Sequence, residues 1–200
     1  MKEESVSVKQ GKKALFYLIV QYQTDKIEAE RTIQMGNGNR GNTMIIKNGL
    51  VFTPEGKFEK KDFYIEGEYV AKETTDNKEV EAEGCYVIPG LVDIHFHGCV
   101  RHDMCDGTEE SIQALADYEA ANGVLAICPA TMTIPEEELF QAMNAAREHK
   151  NGKGADLVGI NMEGPFVNKE KKGAQKEEDI KLADVELFHK LQEAAGGLIK

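Results

Sequence analysis

Two histidines lie two positions apart in the segment Asp93-Ile94-His95-Phe96-His97-Gly98. The hydrophobic residues before them predict a buried strand over 91–97. Side chains alternate between the two faces of a strand, so His95 and His97 project from the same face. Two neutral imidazoles on one face can bind a single divalent metal ion such as zinc or iron. The spacing therefore predicts a metal site at the end of this strand, with a pair of hydrogen-bonded core histidines as the alternative.

A glutamate follows another predicted strand, in the segment Met162-Glu163-Gly164-Pro165-Phe166. A carboxylate at the C-terminal end of a parallel strand lies at the face where barrel enzymes place their active sites. Glu163 is therefore a candidate third metal ligand, and a surface turn residue is the alternative. Asp93 precedes His95 by two residues on the same face, so it is a candidate to orient that histidine or the strand without binding metal itself.

The other chemically capable side chains give weaker signals. His102 follows the histidine pair, where an exposed loop residue is the favoured interpretation. His149 ends a predicted helix, where the helix dipole favours a cation. The spacing of Cys99 and Cys105 matches no metal-binding motif. Lys171-Lys172 could attract a phosphorylated sugar, although the surrounding charges favour a solvated loop.

The elements that must position these residues are strands alternating with helices from Pro89-Gly90 onward. Hydrophobic periodicity and capping residues predict helices over 109–122, 135–149 and 184–195. Strands are expected over 91–97, 124–130 and 157–162, and Leu198-Ile199 opens a fourth. This alternation predicts an α/β fold with parallel strands in βα units.

Two segments of different character come before residue 89. Residues 44–88 are β-rich and rich in turns, which predicts a small β module; 44–52 read as a strand, an Asn-Gly turn and a second strand. Residues 1–43 end in a Gly/Asn-rich polar stretch and are expected to be a leader, either disordered or a non-native extension. The alternative is a short ordered strand or helix around 15–22 that packs on the domain. We therefore divide the chain into 1–43, 44–88 and 89–200.

Composition excludes several classes of protein. The 24 Lys+Arg against 35 Asp+Glu give a net charge of −11, which disfavours a nucleic-acid binder. The longest purely apolar run has seven residues, 14–20, far fewer than the roughly 20 of a membrane span. No signal-peptide cleavage site follows that run. The four cysteines show neither a CxxC pair nor zinc-finger spacing. We therefore expect reduced thiols and a cytoplasmic location, with no membrane partner.

The two motifs carry a resemblance to known proteins. Residues 87–98 resemble the first barrel strand of the amidohydrolase superfamily. Residues 162–166, followed by Lys171-Lys172-Gly173-Ala174-Gln175, resemble the N-acetylglucosamine-6-phosphate deacetylase family in particular. The similarity extends over 44–200, and it implies an N-terminal portion of such a protein: the first three to four βα units of a (β/α)₈ TIM-type barrel, preceded by a small β-sandwich module.

The resemblance also implies roles for individual residues. Glu163 would be a metal ligand, and His95 and His97 would be ligands of a second metal position, so the full-length enzyme would hold one or two divalent ions (zinc, iron or similar) per subunit. Gln175 occupies a position where many members have a substrate-contacting histidine. Glutamine can exchange hydrogen bonds but cannot carry a proton near neutral pH, so Gln175 is a candidate substrate contact and not a proton carrier.

The implied reaction is metal-dependent hydrolysis of the N-acetyl group of N-acetylglucosamine 6-phosphate, a step of amino-sugar catabolism, by a full-length homodimer. The resemblance places the general acid/base aspartate and two further histidine ligands beyond Lys200, so we expect the 200 residues alone to be inactive. One alternative is a non-catalytic fragment with the family's fold signature. Another is an amidohydrolase that acts on a cyclic amide or ureide, which the setting of Glu163 disfavours.

Overall fold

The computed structural model describes residues 17–21, 43–66, 69–74 and 78–200, which fall into two compact units divided between Pro89 and Gly90. The first unit is built from β-strands, and the second combines strands with helices. Among the described residues, no helix combines the length and the apolar character needed to cross a bilayer.

The described part of the first unit is one mixed sheet. The strands are β1 (Tyr17–Gln21), β2 (Met44–Phe52), β3 (Phe58–Glu66), β4 (Tyr69–Ala71), β5 (Glu79–Glu81) and β6 (Cys85–Pro89). The central strand β2 pairs antiparallel with β3 and parallel with both β5 and β6, while β3 pairs with β4 and β6 with β1. Met44, Ile46, Val51 and Val87 are buried and form its core.

The predicted Asn-Gly turn after Lys47 is wrong, because Met44–Phe52 is one continuous strand. The register against β3 shifts between Ile46 and Gly49, and Asn48 takes a positive φ of 59°. The Asn48 backbone N–H donates to Asp62 Oδ1 at 3.1 Å, which holds the irregularity in place. Asn-Gly therefore forms a β-bulge here, since both halves of the strand pair with the same neighbour.

The prediction of a disordered leader is wrong for Tyr17–Gln21, which form β1. This strand pairs antiparallel with β6, from Tyr17 opposite Pro89 to Gln21 opposite Cys85. The alternative of an ordered strand holds for these residues, because their β-forming sequence can add to the edge that β6 offers. The rest of the leader, 1–16 and 22–42, lies outside the described residues.

The strands of the second unit are β7 (Leu91–Asp93), β8 (Gly98–Cys99), β9 (His102–Asp103), β10 (Val124–Ile127) and β11 (Asp156–Leu157), and the helices are α1 (Glu109–Ala121), α2 (Glu136–Glu148) and α3 (Val185–Ala194). Three of the strands form a parallel sheet in the order β11-β10-β7, which confirms the parallel βα units and the α/β class. The parallel bridges Ala130–Asn161 and Ile160–Ile199 continue this sheet, and Ile199 lies where the fourth strand was predicted to begin.

The three helices agree with the predicted bounds to within one residue at each end. Thr108 Oγ1 accepts a hydrogen bond from the Ser111 N–H at 3.2 Å and caps α1, and Gly123 ends it with a φ of 86°. Asp184 caps α3 in the same way. Apolar residues from all three helices pack with Ile127, Leu157 and Ile160 in one buried cluster.

The first strand of this sheet departs from the prediction of a buried strand over 91–97. The regular strand ends at Asp93, although the Cys128 N–H still donates to Asp93 O and the Ala130 N–H to Phe96 O. Leu91 and Val92 are each 49% exposed. The buried cluster that includes all three helices contains residues of β10 and β11 but neither Leu91 nor Val92. The prediction from a continuous hydrophobic run therefore overestimated the burial of β7.

His149 also differs from its predicted role as a cation at a helix end. It follows α2 but is buried, and neither ring nitrogen has a hydrogen-bond partner among the described residues. Burial lowers the pKa of His149 below its ordinary value, while Glu109 and Asp156 act in the opposite direction. The loss of hydration on burial therefore outweighs the attraction of these two carboxylates for a charged imidazole.

Buried His149 should make the fold sensitive to acid. The unfolded chain protonates this histidine near pH 6.5, whereas the folded chain resists protonation until lower pH. The unfolded state therefore gains protons first, and acidification through this window lowers the free energy of unfolding. We expect His149→Leu to lower the number of protons taken up on unfolding by up to one. Urea unfolding between about pH 5 and 8 measures this as a smaller slope of the free energy of unfolding against pH. Exposed His189→Leu is the control, and an unchanged slope in the His149 variant would refute this explanation.

Candidate metal centre

The histidine pair lies just after β7, where the chain is held by side chains from two strand ends. Asp93 Oδ1 accepts a hydrogen bond from the His95 N–H at 2.9 Å. Asn161 Nδ2 donates to Ile94 O at 3.0 Å, tying this segment to the residues that precede Glu163. Asp93 therefore contacts the His95 backbone, and these bonds fix the direction in which the histidines leave the strand.

His95, His97 and Glu163 converge on one point. One ligand atom from each residue lies within 4.8 Å of the other two. Both His95 Nε2 and His97 Nε2 lie 3.3 Å from Glu163 Oε2. The three side chains are 46%, 38% and 35% exposed, so the centre is open to solvent and to a small molecule.

This donor set fits a divalent metal ion. Two imidazole nitrogens and a carboxylate oxygen are ligands that zinc and iron accept in catalytic sites, which keep a further position open. The two imidazole rings lie with their centroids 5.2 Å apart and their planes nearly perpendicular, at 87°. His97 Nδ1 is buried and has no partner in the described part of the chain, which leaves Nε2 as the nitrogen that serves the centre. Direct hydrogen bonds from Nε2–H to Glu163 are the alternative use of this geometry.

Gln175 lies beside Glu163 and is only 4% exposed. Its Nε2 donates to Glu163 Oε1 at 2.8 Å, and its Oε1 accepts from the Thr133 N–H at 2.6 Å. The amide is therefore bonded to protein at both ends, with little surface left for a substrate. Sequence reasoning missed Asn161 and Thr133. Asn161 is a polar residue near the end of the predicted strand 157–162, which was a usable signal, whereas Thr133 contributes its backbone N–H, which the residue type does not indicate.

The weaker candidates lie outside this centre. His102 was expected to be an exposed loop residue, but it lies in β9 with its Nδ1 3.1 Å from Ser111 Oγ. Cys105 Sγ accepts from the Met132 N–H, and burial raises the pKa of this thiol to about 12. Cys105 is not among the residues whose ligand atoms converge at the centre. Lys172 Nζ donates to Gln175 O, so the lysine pair is partly engaged within its own loop.

Comparison with known proteins supports the resemblance stated from the two motifs. No protein-family model matches the chain. The N-acetylglucosamine-6-phosphate deacetylase of Bacillus subtilis is 36% identical over 162 residues, covering 78% of this chain and 39% of that protein. This similarity confirms the prediction that the chain resembles part of such a deacetylase.

Solved structures show the same fold. An N-acetylglucosamine-6-phosphate deacetylase from Pasteurella multocida superposes with a TM-score of 0.69 at 20% identity, covering 79% of this chain and 43% of that one. A mutant deacetylase from Mycobacterium smegmatis in complex with N-acetyl-D-glucosamine-6-phosphate gives 0.67 at 21%, covering 80% and 42%. The chain thus spans about two fifths of the length of these proteins.

Proposed function

We propose that this chain is part of a metal-dependent amidohydrolase that releases acetate from N-acetylglucosamine 6-phosphate and leaves glucosamine 6-phosphate. The observation that carries the proposal is the convergence of His95, His97 and Glu163 after the ends of two different strands of a parallel arrangement. The similarity to deacetylases of this name supplies the substrate class. The location that we propose is the cytoplasm, and the four free thiols are in keeping with it.

We further propose that residues 90–200 are the first units of a (β/α)₈ barrel. Support comes from the order of the parallel strands, since β7, β10 and β11 are neighbours in the same order as in the chain, and Ile199 follows next. Helices α1 and α2 connect successive strands, as in the barrel. In such a barrel the metal centre would lie at the C-terminal face, where active sites occur.

Hydrolysis of the substrate's N-acetyl amide requires catalysis because an amide is a poor electrophile and water is a poor nucleophile at neutral pH. A divalent ion at this centre would lower the pKa of a coordinated water toward about 7 and polarise the substrate carbonyl. His95, His97 and Glu163 would hold that ion, and Asp93 would keep His95 in place through its backbone N–H. The leaving amine also requires a general acid. We assign that step to no residue of this chain, because the resemblance places it beyond Lys200.

The test is acetate release by two proteins: the 200-residue chain, and the polypeptide encoded by the complete reading frame that contains it. We expect chelator-sensitive release from N-acetylglucosamine 6-phosphate by the complete product and none by the 200 residues. Unphosphorylated N-acetylglucosamine is the matched substrate control.

Two other outcomes would overturn the proposal. Hydrolysis of a cyclic ureide such as hydantoin, without acetate release, would favour a different amidohydrolase. A stop codon directly after Lys200, together with an inactive chain, would favour the non-catalytic fragment.

A further inference from the structure

We propose that Gln175 is a positioning residue that fixes which oxygen of Glu163 faces the two histidines. This inference rests on the proposed metal centre and gives Gln175 a different role from the substrate contact that the resemblance implies.

The two oxygens of Glu163 have different partners. Oε1 accepts the hydrogen bond from Gln175 Nε2 at 2.8 Å. Oε2 lies 3.3 Å from the Nε2 atoms of both His95 and His97. A carboxylate held by one oxygen cannot rotate freely about its last bond, so the bond from Gln175 leaves Oε2 directed at the histidines.

The orientation of the Gln175 amide follows from its other partner. The Thr133 backbone N–H can only donate, so the group 2.6 Å from it must be the amide oxygen. The amide nitrogen then faces Glu163 and donates to it. The two hydrogen bonds therefore run in one direction, from the Thr133 N–H through the Gln175 amide to Glu163. Because a glutamine amide neither gains nor loses a proton near neutral pH, this direction cannot be reversed.

Burial makes this arrangement rigid. Gln175 is 4% exposed and Thr133 is 2% exposed, so water competes poorly for the hydrogen bonds of the Gln175 amide, whereas the Glu163 side chain that receives one of them is 35% exposed. The Gln175 backbone is held as well, since its N–H donates to Lys172 O and its carbonyl accepts from Lys172 Nζ, both at 3.0 Å. Partners that orient a metal ligand typically change metal affinity by about 10- to 100-fold when they are removed.

The test uses Gln175→Met, which keeps the length of the side chain and removes both hydrogen bonds. Gln192→Met is a matched control, because the Gln192 amide also bonds a backbone N–H and a carbonyl, both of Ile199, at 3.0 Å and away from the centre. We expect Gln175→Met to weaken Co²⁺ binding by about 10- to 100-fold and to change the visible spectrum of the bound ion. Gln192→Met should alter only the free energy of unfolding.

A double-mutant cycle separates positioning from general damage. In a Glu163→Ala background, Gln175→Met should have no further effect on Co²⁺ affinity, because the ligand that it orients is gone. Equal Co²⁺ affinity of wild type and Gln175→Met would overturn the inference. If the wild-type chain binds no Co²⁺, the proposed metal centre is refuted, and the role of Gln175 must be tested without a metal. Crystal structures of the metal-free proteins then decide about Gln175: Glu163 Oε2 should face both histidines in wild type and turn away in Gln175→Met, and an unmoved carboxylate would refute the positioning role.

Discussion

Replacing Glu163 by alanine is expected to weaken zinc binding by the 200-residue chain by more than about 100-fold, because losing a ligand costs more than losing a partner that orients one. Glu163 supplies the charged oxygen of the centre, 3.3 Å from both histidine nitrogens. Without it, two neutral imidazoles remain on a partly exposed loop. Competition with a chromophoric chelator measures the affinity directly.

Two variants make this result specific. Glu163→Gln keeps the shape of the side chain but removes its charge and replaces one acceptor oxygen by an NH₂ donor, so it should also lose most of the affinity. Glu170→Ala removes a carboxylate from the exposed 3₁₀ turn nearby and should bind zinc like wild type. If Glu163→Ala retained wild-type affinity, the ion would have other ligands and the proposed centre would be wrong.

Gly164→Ala should cost about 2–5 kcal/mol of the free energy of unfolding, from backbone strain and crowding together. Gly164 has a φ of 90°, a conformation that side chains with a Cβ rarely adopt. A Cβ there would also lie 3.1 Å from Thr133 Cα and Cβ and would collide with the Thr133 hydroxyl. Since Thr133 anchors Gln175, the substitution should weaken metal binding as well. Urea unfolding and zinc competition measure the two effects.

Gly173→Ala is the control for backbone strain alone. Gly173 has a φ of 58°, but a Cβ at this position would meet no atom within 4 Å. We expect this variant to lose only about 1–2 kcal/mol and to retain zinc affinity. Equal losses in the two variants would show that the contact with Thr133 contributes nothing.

Local patterns were sufficient to predict several elements of the second unit. The cap at Thr108, the stop at Gly123 and the apolar spacing within α1 all act within a few residues of the helix, so the sequence alone predicts them. The placement of His95 and His97 on one side follows equally from the alternation of side chains in an extended chain.

Features that depend on distant partners were predicted less well. Asn48-Gly49 forms a bulge because β3 continues to pair beyond it, and β1 is ordered because β6 offers it an edge. His149 is buried by tertiary packing, which a prediction from its position at the end of a helix does not take into account. Gln175 and Thr133 are 42 residues apart, and only the folded chain brings the amide to that backbone N–H and to Glu163.

X-ray absorption at the zinc edge of the zinc-loaded 200-residue chain reports the atoms bound to the ion and so shows whether the two histidines and Glu163 hold it. Ligation by His95, His97 and Glu163 predicts a shell of nitrogen and oxygen at about 2.0–2.1 Å with the outer scattering of two imidazoles. That imidazole signal should vanish in the His95→Ala, His97→Ala double variant. A sulfur shell at about 2.3 Å, or an unchanged spectrum in the double variant, would show that other residues bind the ion.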